Sequence, residues 1–335
     1  MRQIPLPSLR FARIQRFAAV TGTLLALSVA NFASAQEDYP TRPIHLIIGF
    51  SAGGNTDVMG RAAAAEMSKV LGQPVVVENR AGGAGSIMAN ATIASPPDGY
   101  TMCLCGSGPQ VLLPLIDKTA ENYPRDLAPV SLLYVNGYIL IGRNNLKANN
   151  IQELLADIKA NPNKYTYGSS GVGGIQHLGL AMLANTIGSP MLHVPYKGEQ
   201  PAAIDVAAGQ VDLLLATPTT AAAMLKTGKV KAFASTGEKP NELMPELPTL
   251  KSVGLDNMLV YTFGGLNVTR GTPPGVIQKL SDAAAAAVSS DSYQERVKSG
   301  GMSIPSTGPK AYADFVSHEI DRWSEVTKNI NFKRK

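Results

Sequence analysis

The stretch His45–Asp57, HLIIGFSAGGNTD, constrains this chain more than any other. Ile44-His45-Leu46-Ile47-Ile48 is an apolar, β-branched run, which reads as a buried strand. A small polar turn follows, Ser51-Ala52-Gly53-Gly54-Asn55-Thr56-Asp57, and then a helical pattern from Val58 to Leu71 with four consecutive alanines. A buried strand that turns through glycines into a helix aims several unbonded backbone N–H groups at one point, together with the positive end of the helix dipole. Such a point holds anions. Glycine at 54 leaves room for close approach of a ligand to the backbone. Asp57 beside it would repel a carboxylate, so its expected role is to shape the loop and to favour the helix start.

The same unit recurs along the chain. Pro74–Glu78 and Thr101–Cys105 are strand patterns separated by Asn79–Ser86, a glycine turn, and a helix to about Ser95. Strand, helix, strand, helix, strand is the signature of an α/β fold with a parallel sheet. The turns after the first and third strands open at one sheet edge, which brings Ser107 next to Ser51. Leu127–Arg143 is largely extended. A second series then runs from about Tyr138 to Leu255, with Ser169-Ser170-Gly171-Val172-Gly173-Gly174 as its main glycine turn and Thr217 after a later strand. Tyr261–Val268 is a return strand, and helices over 273–288 and 309–329 cover the sheet. Two lobes are expected, each with a mainly parallel sheet flanked by helices, with a cleft between: residues 36–137 plus 258–335 in the first, 138–257 in the second.

Residues 1–35 read as a signal peptide. Arg2, Arg10, Arg13 and Arg16 form a basic start, Phe17–Ala30 an apolar core, and Ala33-Ser34-Ala35 a cleavage site, so the mature chain starts at Gln36 in the periplasm. Removing those four arginines from the 30 basic residues leaves 26 against 25 acidic, a net charge near +1. That balance argues against a nucleic-acid partner, and Lys333-Arg334-Lys335 reads as a solvated tail. Cys103 and Cys105 read as buried thiols, not as a disulfide framework.

The chemistry-bearing motifs fail one at a time. Gly168-Ser169-Ser170-Gly171-Val172 lacks the final glycine of a nucleophile elbow. Gly83-Ala84-Gly85 meets Met88, and Gly171-Val172-Gly173 meets Gln176, where a dinucleotide fingerprint needs glycine. His45, His177, His193 and His318 have no metal-ligand spacing, and no cofactor or metal is implied. His45 and His193 fall in strand patterns and are expected to pack there, and only His177 adjoins a candidate loop. What remains is a set of polar loops: Ser51, Gly53, Gly54, Asn55, Thr56 and Ser107 from one lobe, and Ser169, Ser170, Gly171, Gly173, His177 and Thr217 from the other. Two facing helix starts suit a ligand with an anionic group at each end.

Several of these stretches resemble the Bug family, the extracytoplasmic solute-binding receptors of tripartite tricarboxylate transporters. The resemblance is carried by Tyr39–Ile44, Phe50–Asp57, Val77–Gly83, Pro97–Thr101, Tyr167–Gly173 with His177-Leu178, His193–Gly198, Gly209–Asp212, Gly271–Pro274 and Arg322-Trp323. It implies a periplasmic-binding-protein fold and recognition of a small carboxylate by backbone N–H groups and hydroxyls, without catalysis. It also implies inner-membrane transporter subunits as partners. A ligand-presenting sensor that meets a sensor kinase is the alternative, and a secreted hydrolase the more distant one. The chain is expected to work as a monomer. Ser51-Ala52, Thr217 and Thr262 depart from the family pattern, which bears on the identity of the ligand.

Overall fold

The computed structural model describes residues 39–304 and 306–329. The expected signal peptide, the expected start at Gln36 and the basic tail lie outside the described residues. The chain divides into a short N-terminal unit, Met1–Thr41, of which Tyr39–Thr41 are described, and a second unit, Arg42–Lys335, to which everything below belongs.

The first series runs β1 (Ile44–Ile48), α1 (Asn55–Leu71), β2 (Val75–Asn79), α2 (Ser86–Ile93) and β3 (Thr101–Cys105). α1 starts three residues earlier than the alanine pattern predicts, which places Asn55, Thr56 and Asp57 in its first turn. After β3 the chain makes a π-helical turn, Gly108–Leu112, that passes into the short α3 (Leu113–Ile116). α4 (Tyr123–Asp126) follows. Prolines at the starts of these segments suit a first helical turn, but the pieces are too short to show a period in the sequence. The long extended stretch is two strands, β4 (Leu127–Gly137) and β5 (Ile139–Arg143), broken at Tyr138.

The second series is α5 (Ile151–Ala160), β6 (Thr166–Ser169), α6 (Ile175–Ile187), β7 (Leu192–Pro195), α7 (Glu199–Ala207), β8 (Leu213–Ala216), α8 (Pro218–Leu225) and β9 (Val230–Ser235). Asn150 caps α5 by accepting from the Glu153 N–H, and Glu153 reaches back to the Asn149 N–H, so two orphan donors are satisfied reciprocally. The chain ends with β10 (Tyr261–Thr269), α9 (Pro274–Ser289), α10 (Asp291–Ser299) and α11 (Pro309–Asn329). α10 has no counterpart in the sequence reading. It is mostly polar on its exposed side and buries Tyr293 and Val297.

Two five-stranded sheets result, ordered β2-β1-β3-β10-β4 and β7-β6-β8-β5-β9. In each, four of the five strands run the same way and one is reversed. β1 pairs β2 and β3 in parallel, and β6 pairs β7 and β8 in parallel. β10 runs antiparallel to β3 and β4, and β5 antiparallel to β8 and β9. The antiparallel members are the strands that carry the chain between sheets or back again, so they enter from the opposite end. One apolar core includes side chains of both lobes, with Val111 and Leu132 from the first, Leu178 and Leu215 from the second, and the fully buried Trp323 of α11. His45 is exposed at the end of β1 away from the helix start, not packed.

The chain passes between the sheets twice, and one residue ties the passages together. The Tyr138 N–H donates to Thr236 Oγ1 at 2.9 Å, and the Thr236 N–H to the Tyr138 carbonyl at 2.9 Å. Thr236 Oγ1 donates to the carbonyl of Val260, whose N–H returns to the Thr236 carbonyl at 3.3 Å. Valine has the shape of threonine without the hydroxyl. Thr236→Val leaves a buried N–H and a buried carbonyl short of a partner, and each such loss costs about 1–3 kcal/mol. Urea unfolding should show a loss of about 2 kcal/mol or more in this variant, with the slope unchanged.

Candidate functional site

The carboxyl ends of β1, β3, β6 and β8 open on one cavity, where the turns that leave those strands meet. Counting its mouth, the space between lining atoms is about 640 Å³. That is a small-molecule site by size.

The first lobe contributes Ser51, Gly54, Asn55 and Thr56 from the turn into α1, and Ser107 after β3. Gly54 is the residue before α1, and no side chain caps that helix start. Its φ of −76° is ordinary, and a Cβ there would meet the Ser51 carbonyl at 3.5 Å, a normal contact. Packing within the protein therefore does not force glycine at this position. Gly53 does need its φ of +81°, but it lies outside the cavity lining. Its N–H donates to Asp57 Oδ2 at 2.9 Å. Asp57 also accepts from Asn79 Nδ2 at 2.9 Å and Arg61 Nε at 3.0 Å, and it does not line the cavity. Burial pushes the Asp57 pKa up, yet the bonds from Arg61, Gly53 and Asn79 outweigh it and hold the carboxyl below its usual range. Asp57 thus braces the turn from behind.

Ser107 is almost wholly buried, and its hydroxyl has no hydrogen-bond partner among the described residues. A buried hydroxyl that lines a cavity with nothing to bond is incomplete without a ligand or water.

The second lobe brings Ser170, Gly174, Ile175, Gln176, Glu199 and Thr217. Its glycine turn is built differently from the expectation. The Gly171 N–H donates to Ser169 Oγ at 3.1 Å, the Ser170 N–H to Gln176 Oε1 at 2.8 Å, and the Gly173 N–H to His177 Nδ1 at 3.0 Å. These donors are spent inside the lobe. Ser169, Gly171, Gly173 and His177 accordingly lie outside the cavity lining, because their polar groups bond to one another behind the turn. Ser169 Oγ lies 2.6 Å from His193 Nε2, and the His177 and His193 rings stack 3.8 Å apart. α6 still begins at Gly174 without a side-chain cap, so its first turn faces the cavity open.

Thr217 is occupied. Its N–H and hydroxyl donate to Glu199 Oε1 at 3.0 and 2.7 Å, while Gln176 Nε2 donates to Glu199 Oε2 at 2.9 Å. Burial raises the Glu199 pKa against these bonds, which lower it. Among the described lining residues Glu199 carries the one formal charge. Contacts across the cleft join the lobes: Gln200 Nε2 donates to the Gly53 carbonyl at 3.3 Å and Ser51 Oγ to the Lys197 carbonyl at 3.4 Å.

A profile described as tripartite tricarboxylate transporter family receptor matches residues 59–332. The chain belongs to this receptor family. It is similar to the solved periplasmic binding protein BugD, at 32% identity and a TM-score of 0.85, over 89% of this chain and 100% of that one. An R. palustris protein, Rpa4515, solved with adipate, is 28% identical with a TM-score of 0.84, over 89% of this chain and all of the other. MatC from Rhodopseudomonas palustris, solved with bound malate, is 27% identical with a TM-score of 0.82, over 86% and 99%. The family and these neighbours are two-lobed solute-binding proteins and not enzymes.

Within this receptor, Glu199, Gln176, Tyr138 and Ala84 line the site without having been expected there. Ala84 is reached through a left-handed turn after β2, which no spacing rule reveals. Glu199 has a visible cue. It directly follows Gly198 at the start of a helix, where an acid sits beside other helix starts.

The buried histidine pair has its own consequence. Burial holds His177 down to about 3, with His193 adding repulsion, and His193 down to about 4. Both values fall below the free histidine value, so the neutral forms are favoured in the fold. Their contribution is fully present above about pH 6.5 and is lost as the pH falls toward 4. Unfolding free energy should fall from pH 7 to 4.5 by up to about 1.4 kcal/mol per pH unit for each histidine. A His177→Gln, His193→Gln double variant, less stable at pH 7, should show a flatter profile over that window. An unchanged profile would contradict the assignment.

Proposed function

We propose that this chain is the extracytoplasmic receptor of a tripartite tricarboxylate-type transporter and captures a small carboxylate in the cavity between its lobes. The observation that carries the reading is the unpartnered Ser107 hydroxyl set beside the uncapped starts of α1 and α6, in a cavity whose lining has no lysine or arginine among the described residues. Such a site holds an anionic group through N–H and O–H donors alone. The adipate and malate of the related structures fit the same chemistry.

In this reading the leader is cut after Ala35 and the receptor works in the periplasm as a monomer. Residues 36–137 and 258–335 form one lobe and 138–257 the other, with closure about the passages that Thr236 joins. The bound carboxylate is handed to membrane subunits of the transporter. Hydrolysis would need a base beside Ser170, whereas His177 and His193 stack behind the turn and His193 is engaged with Ser169.

A thermal-shift screen of small carboxylates, with the corresponding amides as controls, tests the reading. Acids should raise the melting temperature and amides should not, because a ligand bound only by the folded state stabilises it by about 2.7 kcal/mol at 100 times its Kd. Ser107→Ala should weaken the best acid by roughly 10- to 100-fold, the worth of a hydrogen bond to a charged group. Equal stabilisation by the amides, or full affinity in Ser107→Ala, would contradict it.

A further inference from the structure

The expected symmetry of the clamp is broken at one residue. Of the helix starts around the cavity, those of α1 and α6 are open, but the start of α8 is taken by the side chain of Glu199. Glu199 Oε1 accepts both the N–H and the hydroxyl of Thr217. A protein carboxylate therefore stands where the second carboxylate of a doubly anionic ligand would be received. Its other oxygen, Oε2, accepts from Gln176, and the Thr220 hydroxyl also bonds the carboxylate; Gln176 is fixed in turn by the Leu215 carbonyl at 2.7 Å and the Ser170 N–H at 2.8 Å. A carboxylate oxygen has room for more than one donor. Among the described residues no cationic side chain lines the cavity to neutralise the charge. A second carboxylate placed there would meet a like charge a few ångströms away in a partly dry site, where Coulomb repulsion is far stronger than in water. A ligand ammonium would meet an acceptor, and its charge would favour the ionised carboxylate against the burial that raises the Glu199 pKa.

We propose that Glu199 selects ligands that carry an ammonium group beside or opposite their carboxylate, so that this receptor binds amino acids or related amino carboxylates in preference to dicarboxylates. The carboxylate lies at the open starts of α1 and α6 with Ser107, and the ammonium donates to Glu199. The proposal rests on the carboxylate reading of the cavity and adds the ligand's second group to it.

The test is calorimetric titration of the full mature protein with matched pairs. In adipate against 5-aminovalerate and glutarate against 4-aminobutyrate, an ammonium replaces a carboxylate. In malate against aspartate and phenyllactate against phenylalanine, it replaces a hydroxyl. The amino member of the best-binding pair should bind at least tenfold more tightly. Glu199→Gln, nearly the same in shape, should lose that preference, and Glu199→Ala should lose it too, with the melting temperature and circular dichroism of each variant showing that it folds. Tighter binding of the dicarboxylate or hydroxy acid by the wild type, or a preference that survives both substitutions, would overturn the proposal and leave the carboxylate site standing. Binding by no member of any pair would overturn both.

Discussion

The first N–H groups of an α-helix have no partner inside the helix. This cavity is assembled from such groups. Parallel β-strands send their helices off from the same edge of the sheet, and two sheets facing each other bring those edges together. The starts of α1, α6, α7 and α8 then converge around one small space. Each must find an acceptor. What the protein supplies for some of them, and withholds from others, defines what the site receives.

The two lobes answer differently. In the first, Asp57 takes the Gly53 N–H and so stiffens the turn, but it stays outside the cavity and leaves the start of α1 open. In the second, Ser169, Gln176 and His177 take up N–H groups that the glycine turn would otherwise offer, and Glu199 takes that of Thr217 at the start of α8. The stacked histidines and Ser169 are therefore scaffolding, and the Ser–His proximity that suggests catalysis serves the turn. A site built on unmade bonds has to be held open, since a loose loop would satisfy them itself. That is the work of the Asp57, Asn79 and Arg61 cluster behind it.

The fold was legible where the pattern was strong. β1, β3 and α6 have the boundaries their apolar periods predict, and the turn after β1 is where its glycines put it, though it ends at Gly54. Short or polar pieces were not: the π-helical turn after Gly108 has no period, and α10 is too polar on its surface to stand out. The one reversed strand in each sheet was not legible either, because strand direction belongs to the path of the chain between sheets and not to any one strand. In the site, Ser107 and Thr217 follow from their positions after strands. Ser169, Gly171, Gly173 and His177 lie outside the cavity lining for a single physical reason. Residue type shows that a group can bond, but not whether a neighbour already bonds it. Glu199 had a cue in its place after Gly198 at a helix start, but the three-dimensional approach of α7 to α8 is what brings the acid to the cavity.

The central claim is that a ligand carboxylate is held by the open helix starts. Amide chemical shifts in ¹⁵N-labelled protein, followed during titration with the tightest-binding carboxylate, address it directly. The largest changes should fall on Asn55, Thr56, Ile175 and Gln176, with Gly171 and Gly173, whose N–H groups are already bonded, moving little. Saturable changes centred on the second glycine turn, with Asn55 and Thr56 unmoved, would contradict it.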